Sequence, residues 1–268
     1  MKLEKITKKY KIREKEIIVL ENINYEFNEG KFYLIKGHSG SGKTTLIQIL
    51  GTMLNPTSGN LYIESKKINN LKNDEKAKIR NKDIGFIFQN YCLNEKLTAL
   101  DNVILPMIIN KKIKKQERIN RAKKLLEMVG LGNRIEHYPN ELSGGEQQRV
   151  SIARSLANNP KIILADEPTG NLDKKNEIHI LELLKKISEQ GKTIIMVSHS
   201  DFAITYADKL LEIDKGKLVE VNHEIKWIHF TIQKVTKKEN TRFQKKFNYI
   251  NFNNCFLLFN NYCFNFYQ

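Results

Sequence analysis

The stretch that decides the fold reads Gly37-His38-Ser39-Gly40-Ser41-Gly42-Lys43-Thr44-Thr45. It matches the phosphate-binding loop (P-loop) pattern G-x-x-x-x-G-K-[ST], in which glycines allow a sharp turn and a close approach of the backbone to a phosphate. The N–H groups of such a loop and the N-terminus of the next helix point at the anion. Lys43 would supply a positive charge for the β- and γ-phosphates of a nucleotide, and the hydroxyl of Thr44 could reach Mg²⁺.

The residues on either side of the P-loop favour a strand before it and a helix after it. The apolar run at 32–35 predicts a buried strand. Leu46, Ile49, Leu50 and Met53 recur at helical spacing. A Gly/Ser turn that fits the pattern by chance is the alternative, and this strand–loop–helix order makes it less favoured.

Composition and length set the broad class of protein. The chain has 268 residues, of which 40% are hydrophobic, enough for a substantial core. No apolar run approaches the roughly 20 residues of a membrane-spanning helix, and the segment after Met1 lacks the apolar stretch of a signal peptide. Cys92, Cys255 and Cys263 show no C-x-x-C spacing, so neither a disulfide framework nor a metal site is expected. We therefore expect a cytoplasmic protein.

The net charge of +15 would suit nucleic acid or an anionic membrane face. The alternative is a lysine-rich composition spread over solvated surfaces. We favour that alternative because no basic segment is interleaved with a nucleic-acid-binding motif, so no nucleic-acid partner is expected.

Apolar runs and helical stripes alternate along the chain, which indicates a parallel sheet covered on both faces. The buried strands predicted after the P-loop are residues 84–88, 162–166 and 193–197. A helical pattern starts near residue 98, and the polar residues 66–82 are interpreted as a surface excursion. Further β structure is predicted at 16–35 and 61–63, with a hairpin around 214–217.

An acidic pair follows one of these strands. The apolar run 162–165 ends in Asp166 and Glu167. In a sheet enzyme that position faces the nucleotide, so Asp166 could hold Mg²⁺ through water. Glu167 could orient or deprotonate an attacking water. The simpler alternative is an acidic pair at a strand end without a catalytic role.

A second candidate anion site reads Leu142-Ser143-Gly144-Gly145-Glu146-Gln147. Ser143 with Glu146 three residues later forms a capping-box pattern, which is a structural reason for both residues. Two glycines beside a helix N-terminus also make an anion site. One P-loop and a second γ-phosphate site in the same chain suggest that two chains share nucleotides.

Three further side chains are candidates for nucleotide contact. Gln89 and His199 each follow an apolar strand and could sense Mg²⁺ and the γ-phosphate, although a lone Gln or His is more often structural. Tyr10 lies in a basic N-terminal stretch and could stack on adenine, or it could be an ordinary strand aromatic.

Taken in order, these motifs resemble the nucleotide-binding subunits of ATP-binding cassette (ABC) transporters, and the resemblance covers about residues 1–222. The run 165–173 looks like the lipoprotein-releasing and macrolide or antimicrobial-peptide exporter branch. The matching motifs are Walker A at 37–45, the Q-loop Gln89, the signature at 142–147, Walker B at 162–167 with its catalytic Glu167, the D-loop Asn171-Leu172-Asp173, the switch residue His199 and the adenine-stacking Tyr10.

The resemblance implies an α/β P-loop NTPase of ABC type, with a small antiparallel β subdomain and a helical subdomain near 92–157. It also implies that two copies bind head to tail, with ATP between the P-loop of one copy and the signature of the other. The implied roles are phosphate and Mg²⁺ binding for Lys43, Thr44, Gln89 and Asp166, water activation for Glu167, γ-phosphate contact for His199, ATP binding in trans for Ser143, Gly144, Gly145 and Glu146, and communication between the two sites for Asp173.

By the same resemblance, the chain would power a separate membrane permease and sit on the inner face of the cell membrane through that partner. The permease is expected to contact residues 91–106. The alternative is an ABC ATPase that does not transport, either a division-type membrane regulator or a nucleic-acid-associated ATPase, although no coiled-coil or zinc insertion is visible. An inactive paralogue is a third possibility, but no catalytic position is lost.

The last part of the chain, 223–268, has no counterpart in the family. From Phe243 to Gln268, 17 of 26 residues are Phe, Tyr or Asn without a steady period. We expect a low-complexity, disordered tail that ATP binding and hydrolysis do not need. A remnant of a fused permease and an adapted extension whose basic residues rest on an anionic membrane both remain open.

Overall fold

The computed structural model describes residues 1–109 and 113–221, apart from the side chain of Ile12. The expectation for 223–268 concerns residues outside these ranges. Within them, no helix is long and apolar enough to cross a membrane.

A four-stranded antiparallel sheet contains most of the N-terminal segment. It has the order β2-β1-β4-β5. Its strands are β1 (Lys2–Ile12), β2 (Lys15–Glu26), β4 (Ser58–Ile63) and β5 (Lys66–Lys67).

The larger sheet has six strands in the order β10-β9-β3-β8-β7-β6. All neighbours pair in parallel except β9 and β10, which form the predicted hairpin. The strands are β3 (Phe32–Lys36), β6 (Ile84–Phe88), β7 (Ile162–Asp166), β8 (Thr193–Val197), β9 (Lys209–Asp214) and β10 (Lys217–Val221). The predicted α/β class with a separate antiparallel part is confirmed.

Both faces of the larger sheet are covered, as the continuous apolar strands predict. Strand β3 shows why such strands lack alternation: Phe32 and Leu34 enter one core cluster, whereas Tyr33 and Ile35 enter the other. The second cluster also contains the antiparallel sheet and the helix that follows the P-loop.

The described α-helices are α1 (Lys43–Leu50), α2 (Asn73–Asp83), α3 (Ala99–Ile108), α4 (Lys115–Met128), α5 (Gly144–Ser155) and α6 (Lys174–Glu189). Helices α3, α4 and α5 fall inside 92–157 and share one core cluster with α6. The boundaries of a helical subdomain remain a prediction.

One local interpretation of the sequence was wrong. Helix α1 ends at Leu50, so Met53 does not continue its apolar stripe and is 47% exposed. The polar stretch 66–82, interpreted as a surface excursion, is mostly exposed, but it contains β5 and most of α2, which were not predicted. Helix α2 lacks an apolar period and is tied down by polar contacts instead: the buried Lys76 donates to Asn55 Oδ1 at 2.7 Å and to the Asn69 carbonyl at 3.2 Å.

Candidate active site

The P-loop connects the carboxyl end of β3 to the start of α1. Two of its glycines have left-handed backbone angles, with φ of +77° at Gly40 and +102° at Gly42. A Cβ added to Gly42 would also lie 2.9 Å from the Val19 carbonyl oxygen and from Leu20 Cδ2. Glycine is therefore required at this position by conformation and by space.

The ammonium of Lys43 lies within the curve of the loop. Its Nζ donates to the carbonyl oxygens of Gly37 at 2.9 Å and His38 at 3.0 Å, and lies 3.1 Å from His199 Nε2. Burial lowers the pKa of Lys43, and the carboxylates of Glu167 and Asp166 oppose that shift. A positive charge is thus held inside the loop by backbone oxygens, where it can exchange them for phosphate oxygens.

The other candidate residues meet the P-loop at the carboxyl edge of the parallel sheet. Strand β6 leads to Gln89, β7 to Glu167 and β8 to His199, and these three strands are neighbours of one another or of β3. Ligands of open α/β sheets bind at this edge. The edge holds a cleft of 630 Å³ lined by Val19, Ser39, Gly40, Gly42, Lys43, Thr44, Thr45, Gln89, Glu167, Gly170 and His199.

A larger cleft of 760 Å³ lies elsewhere, at the opposite ends of β7 and β8. Its five carboxylates, on Glu4, Glu26, Glu29, Glu64 and Asp83, outnumber its cationic groups, which are the Met1 N-terminus, Lys2 and Lys161. This excess of negative charge disfavours a nucleoside triphosphate, so size alone does not identify the nucleotide site.

Glu167 is held in place by His199. The backbone N–H of His199 donates to Glu167 Oε2 at 3.2 Å, and Glu167 Oε1 lies 3.5 Å from His199 Nε2. Glu167 has a left-handed backbone with φ of +47°, which is costly for a residue other than glycine. Such backbone conformations are found at functional sites, and Glu167 lines the cleft.

Asp166 is an electrostatically unfavourable carboxylate in the isolated chain. Burial, and then the charge of Glu167, raise the pKa of Asp166, while a hydrogen bond from Thr44 and the charge of Lys43 oppose the rise. A raised pKa means that ionised Asp166 costs folding free energy at pH values above that pKa. A cation bound beside it would remove the cost.

We expect Asp166→Asn to raise the melting temperature of the nucleotide-free protein at neutral pH and to reduce ATP hydrolysis. The amide cannot ionise, so it relieves the buried charge, and each kcal/mol of relief is worth about 2–4 °C in a domain of this size. The gain should shrink as the pH falls through the raised pKa, because wild-type Asp166 then becomes neutral as well. Thermal melts from pH 4 to pH 8 test this; a gain that does not vary with pH would contradict the explanation.

The predicted capping box at the second anion site is present. Ser143 is the N-cap of α5; its N–H and hydroxyl donate to Glu146 Oε2 at 2.9 and 2.7 Å. Glu146 Oε1 lies 3.7 Å from Arg134 Nε. A Cβ on Gly144 would lie 2.8 Å from the Tyr91 hydroxyl, so the lack of a side chain at Gly144 also makes room for Tyr91. Residues 143–146 are not part of the lining of the P-loop cleft.

Asp173 has a structural role that the sequence interpretation missed. It is the N-cap of α6: its Oδ1 accepts from the Asn176 N–H at 2.9 Å and its Oδ2 from Asn176 Nδ2 at 2.7 Å. These contacts with Asn176 lower the pKa of Asp173. The spacing Asp173-x-x-Asn176 before a helix was the available signal.

Tyr10 lies in β1, is 38% exposed and carries Lys8 Nζ 5.1 Å from its ring centroid. It is not among the residues that line the P-loop cleft, and adenine stacking stays a prediction. Val19 and Gly170 also line the cleft, and neither was predicted to do so, although Gly170 lies within the run 165–173. Val19 is an ordinary apolar strand residue in the sequence, so nothing marked it as a cleft residue.

Comparison with known proteins defines the class. The family model described as "ABC transporter" matches residues 20–170, which is more than half of the chain. The chain therefore belongs to the ABC transporter family, as one of its ATP-binding and ATP-hydrolysing subunits.

Individual relatives agree with this assignment. The chain is 45% identical over 223 residues to the lipoprotein-releasing system ATP-binding protein LolD of Wigglesworthia glossinidia brevipalpis, covering 83% of this chain and 97% of LolD. It is 45% identical over 224 residues to the macrolide export ATP-binding/permease protein MacB of Campylobacter jejuni, covering 84% of this chain and 35% of MacB. The predicted resemblance to this branch is confirmed.

A solved structure has the same fold. It is described as the dimeric structure of a post-hydrolysis state of the ATP-binding cassette MJ0796 bound to ADP and Pi. The TM-score is 0.77 at 44% sequence identity, with 83% of this chain and 98% of that chain covered.

Proposed function

We propose that this chain hydrolyses ATP in a Mg²⁺-dependent manner within a head-to-tail dimer and thereby powers a separate export permease. The observation that carries the proposal is the cleft at the carboxyl edge of the sheet, which joins Lys43 and Thr44 of the P-loop with Gln89, Glu167 and His199. The relatives described above are transporter or export proteins, which favours transport over the non-transport alternative.

Each residue of the cleft has a chemical task in this proposal. Lys43 and the P-loop N–H groups bind the β- and γ-phosphates. The Glu167 carboxylate accepts a proton from the water that attacks the γ-phosphorus, and ADP leaves with the electrons of the broken bond. The backbone N–H of His199 keeps Glu167 oriented. The imidazole of His199 would contact the γ-phosphate. The other P-loop residues, Gly37 to Ser41 among them, shape the phosphate cradle.

The residues around the cleft fit a magnesium ion. Mg²⁺ prefers hard oxygen ligands, and the hydroxyl of Thr44, the amide of Gln89 and the carboxylate of Asp166 supply them. The raised pKa of Asp166 and its contact with Thr44 indicate a carboxylate that gains from a nearby cation. When bound, Mg²⁺ would neutralise the negative charge that develops on the phosphates during hydrolysis.

Dimerisation would complete the site. Ser143 to Glu146 stand at the N-terminus of a twelve-residue helix but outside the cleft of their own chain. The N–H groups at this helix N-terminus would bind the γ-phosphate held by a second copy. The neighbour MJ0796 is described as dimeric, which supports this arrangement. Asp173, at the start of α6, would connect the two sites.

A second surface suits the permease. A cavity of 440 Å³ is lined partly by Met53, Phe88, Cys92, Pro106 and Ile109. Met53 and Ile109 are 47% and 70% exposed and line the same cavity, so together they offer apolar surface to a partner. We infer that a cytoplasmic segment of the permease packs here and holds the chain on the inner face of the membrane.

This surface is connected to the second anion site through α5. Arg154 lines the cavity and donates to the carbonyl oxygens of Tyr91 at 2.7 Å and Cys92 at 2.5 Å. Tyr91 and Cys92 both have left-handed backbones, with φ of +57° and +50°. A displacement of residues 91 and 92 would therefore be transmitted through Arg154 to α5, whose N-cap is Ser143.

Of the apolar residues at 91–106, Val103 is buried and Leu93 and Leu100 pack against the core, whereas Leu105 is 42% exposed. A charged residue in place of Leu93 would therefore disturb the packing of the core more than the binding of the permease. Met53 and Ile109 are better probes of the permease surface.

We expect Met53→Glu and Ile109→Glu to weaken permease binding roughly tenfold or more, because each apolar side chain contributes about 1.5–3 kcal/mol when buried. The ATPase of the isolated subunit should be unchanged. The measurements are co-purification with the permease from solubilised membranes and stimulation of ATPase by it. Val219→Glu is the control, since Val219 is 58% exposed on β10, at the opposite edge of the sheet from β6. Normal binding by both probe variants would refute the assigned surface.

A further inference from the structure

The side chain of Asn171 contacts the Q-loop at three points. Its Oδ1 accepts from Gln89 Nε2 at 3.2 Å. Its Nδ2 donates to the Gln89 backbone carbonyl at 3.4 Å and to Asn90 Oδ1 at 3.2 Å. Both ends of this carboxamide are therefore engaged by residues 89 and 90.

Packing at Gly170 adds an independent constraint on Gln89. A Cβ placed on Gly170 would lie 2.9 Å from Gln89 Nε2 and 3.4 Å from Gln89 Cδ. Gly170 and Gln89 both line the P-loop cleft. The amide of Gln89 thus rests on the backbone at Gly170, with its nitrogen turned towards Asn171.

These contacts determine which atom of the Gln89 amide stays available. An amide offers one oxygen acceptor and one NH₂ donor group, and only the oxygen can bind a magnesium ion. If only the Gln89 side-chain amide turned by half a rotation, exchanging its oxygen and nitrogen, its Oε1 would face Asn171 Oδ1, which is an unfavourable pairing of two acceptors. If Asn171 flipped as well, its Oδ1 would face the Gln89 backbone carbonyl, which cannot change its role. The backbone carbonyl therefore fixes Asn171, and Asn171 fixes Gln89.

We propose that Asn171 is a positioning residue that turns the Gln89 amide so that its oxygen, and not its nitrogen, serves the metal and γ-phosphate site. This inference rests on the proposed role of Gln89 and deepens it. It also assigns a role within the same chain to the segment before Asp173, because Asn171 lies two residues before this N-cap of α6.

Two substitutions separate orientation from general loop stability. Asn171→Leu removes every hydrogen bond at similar size. Asn171→Asp still presents an acceptor to Gln89 Nε2, but it loses both donor contacts and places a carboxylate oxygen against the Gln89 backbone carbonyl. We expect Asn171→Leu to lower the affinity for a non-hydrolysable ATP analogue in Mg²⁺ by about threefold to tenfold, which is the value of one or two hydrogen bonds. The affinity in EDTA should be unchanged, and Asn171→Asp should lose less of the Mg²⁺-dependent affinity than Asn171→Leu.

A double-mutant cycle supplies the decisive readout. In a Gln89→Ala background, Asn171→Leu should have no further effect on the Mg²⁺-dependent affinity, because the group that it orients is gone. Additive effects, equal losses in the Leu and Asp variants, or faster hydrolysis by Asn171→Leu would each overturn the inference. If wild-type protein itself showed no ATP binding, the proposed function would fail instead. Melting curves of the full chain establish that each variant is folded.

Discussion

Glu167→Gln is expected to reduce ATP hydrolysis by about two to four orders of magnitude while ATP still binds. The amide keeps the shape of the side chain, and its oxygen can still accept the His199 N–H that now reaches Glu167 Oε2 at 3.2 Å. It cannot accept a proton from water, so the chemical step loses its base. Steady-state phosphate release measures the loss, and binding of a fluorescent ATP analogue shows that the site is intact.

The same variant should accumulate the dimer. If ATP lies between the P-loop of one copy and Ser143 of the other, blocked hydrolysis leaves the sandwich closed. Size-exclusion chromatography should then show a dimer with ATP and a monomer with ADP. Glu189→Gln, an exposed change at the end of α6, is the control and should hydrolyse ATP and stay monomeric. A strictly monomeric Glu167→Gln protein at high concentration with ATP would contradict the shared site.

The parallel sheet was predictable because its strands are continuous apolar runs. Strands β7 and β8 begin and end at the predicted residues, 162–166 and 193–197. Burial on both faces removes the need for polar residues within such strands, so their ends stand out in the sequence. Helix α2 was missed for the opposite reason: it is held by contacts such as that of Lys76 with Asn55, and these leave no apolar period.

The cleft was predictable as a set of positions but not as a set of contacts. Motifs placed Lys43, Gln89, Glu167 and His199 at strand ends, and parallel strands bring such ends together. Local sequence gave no sign that Lys43 Nζ lies 3.1 Å from His199 Nε2, or that Gln89 is bonded to Asn171. These partners are far apart in the chain, and only the strand order determines that they meet.

Lys43→Ala is expected to weaken ATP binding by roughly tenfold to more than a hundredfold. A hydrogen bond to a charged group is worth about 1.5–3 kcal/mol, and Lys43 can contact both the β- and γ-phosphates. Isothermal titration or displacement of a fluorescent nucleotide measures the change. Lys31→Ala is the matched control, because Lys31 is exposed and immediately precedes β3, at the opposite end of that strand from the P-loop.

The contacts of Lys43 indicate why Lys43→Ala should leave the fold intact. The ammonium of Lys43 is held by the carbonyls of Gly37 and His38, and burial already lowers its pKa, so the charge contributes little to stability without a phosphate. Removing it frees two carbonyls at the edge of an open cleft, where water can replace it. We therefore expect a melting temperature near that of the wild type together with a large loss of affinity. Unchanged ATP affinity in a folded Lys43→Ala protein would refute the assignment of residues 37–45 as the phosphate-binding loop.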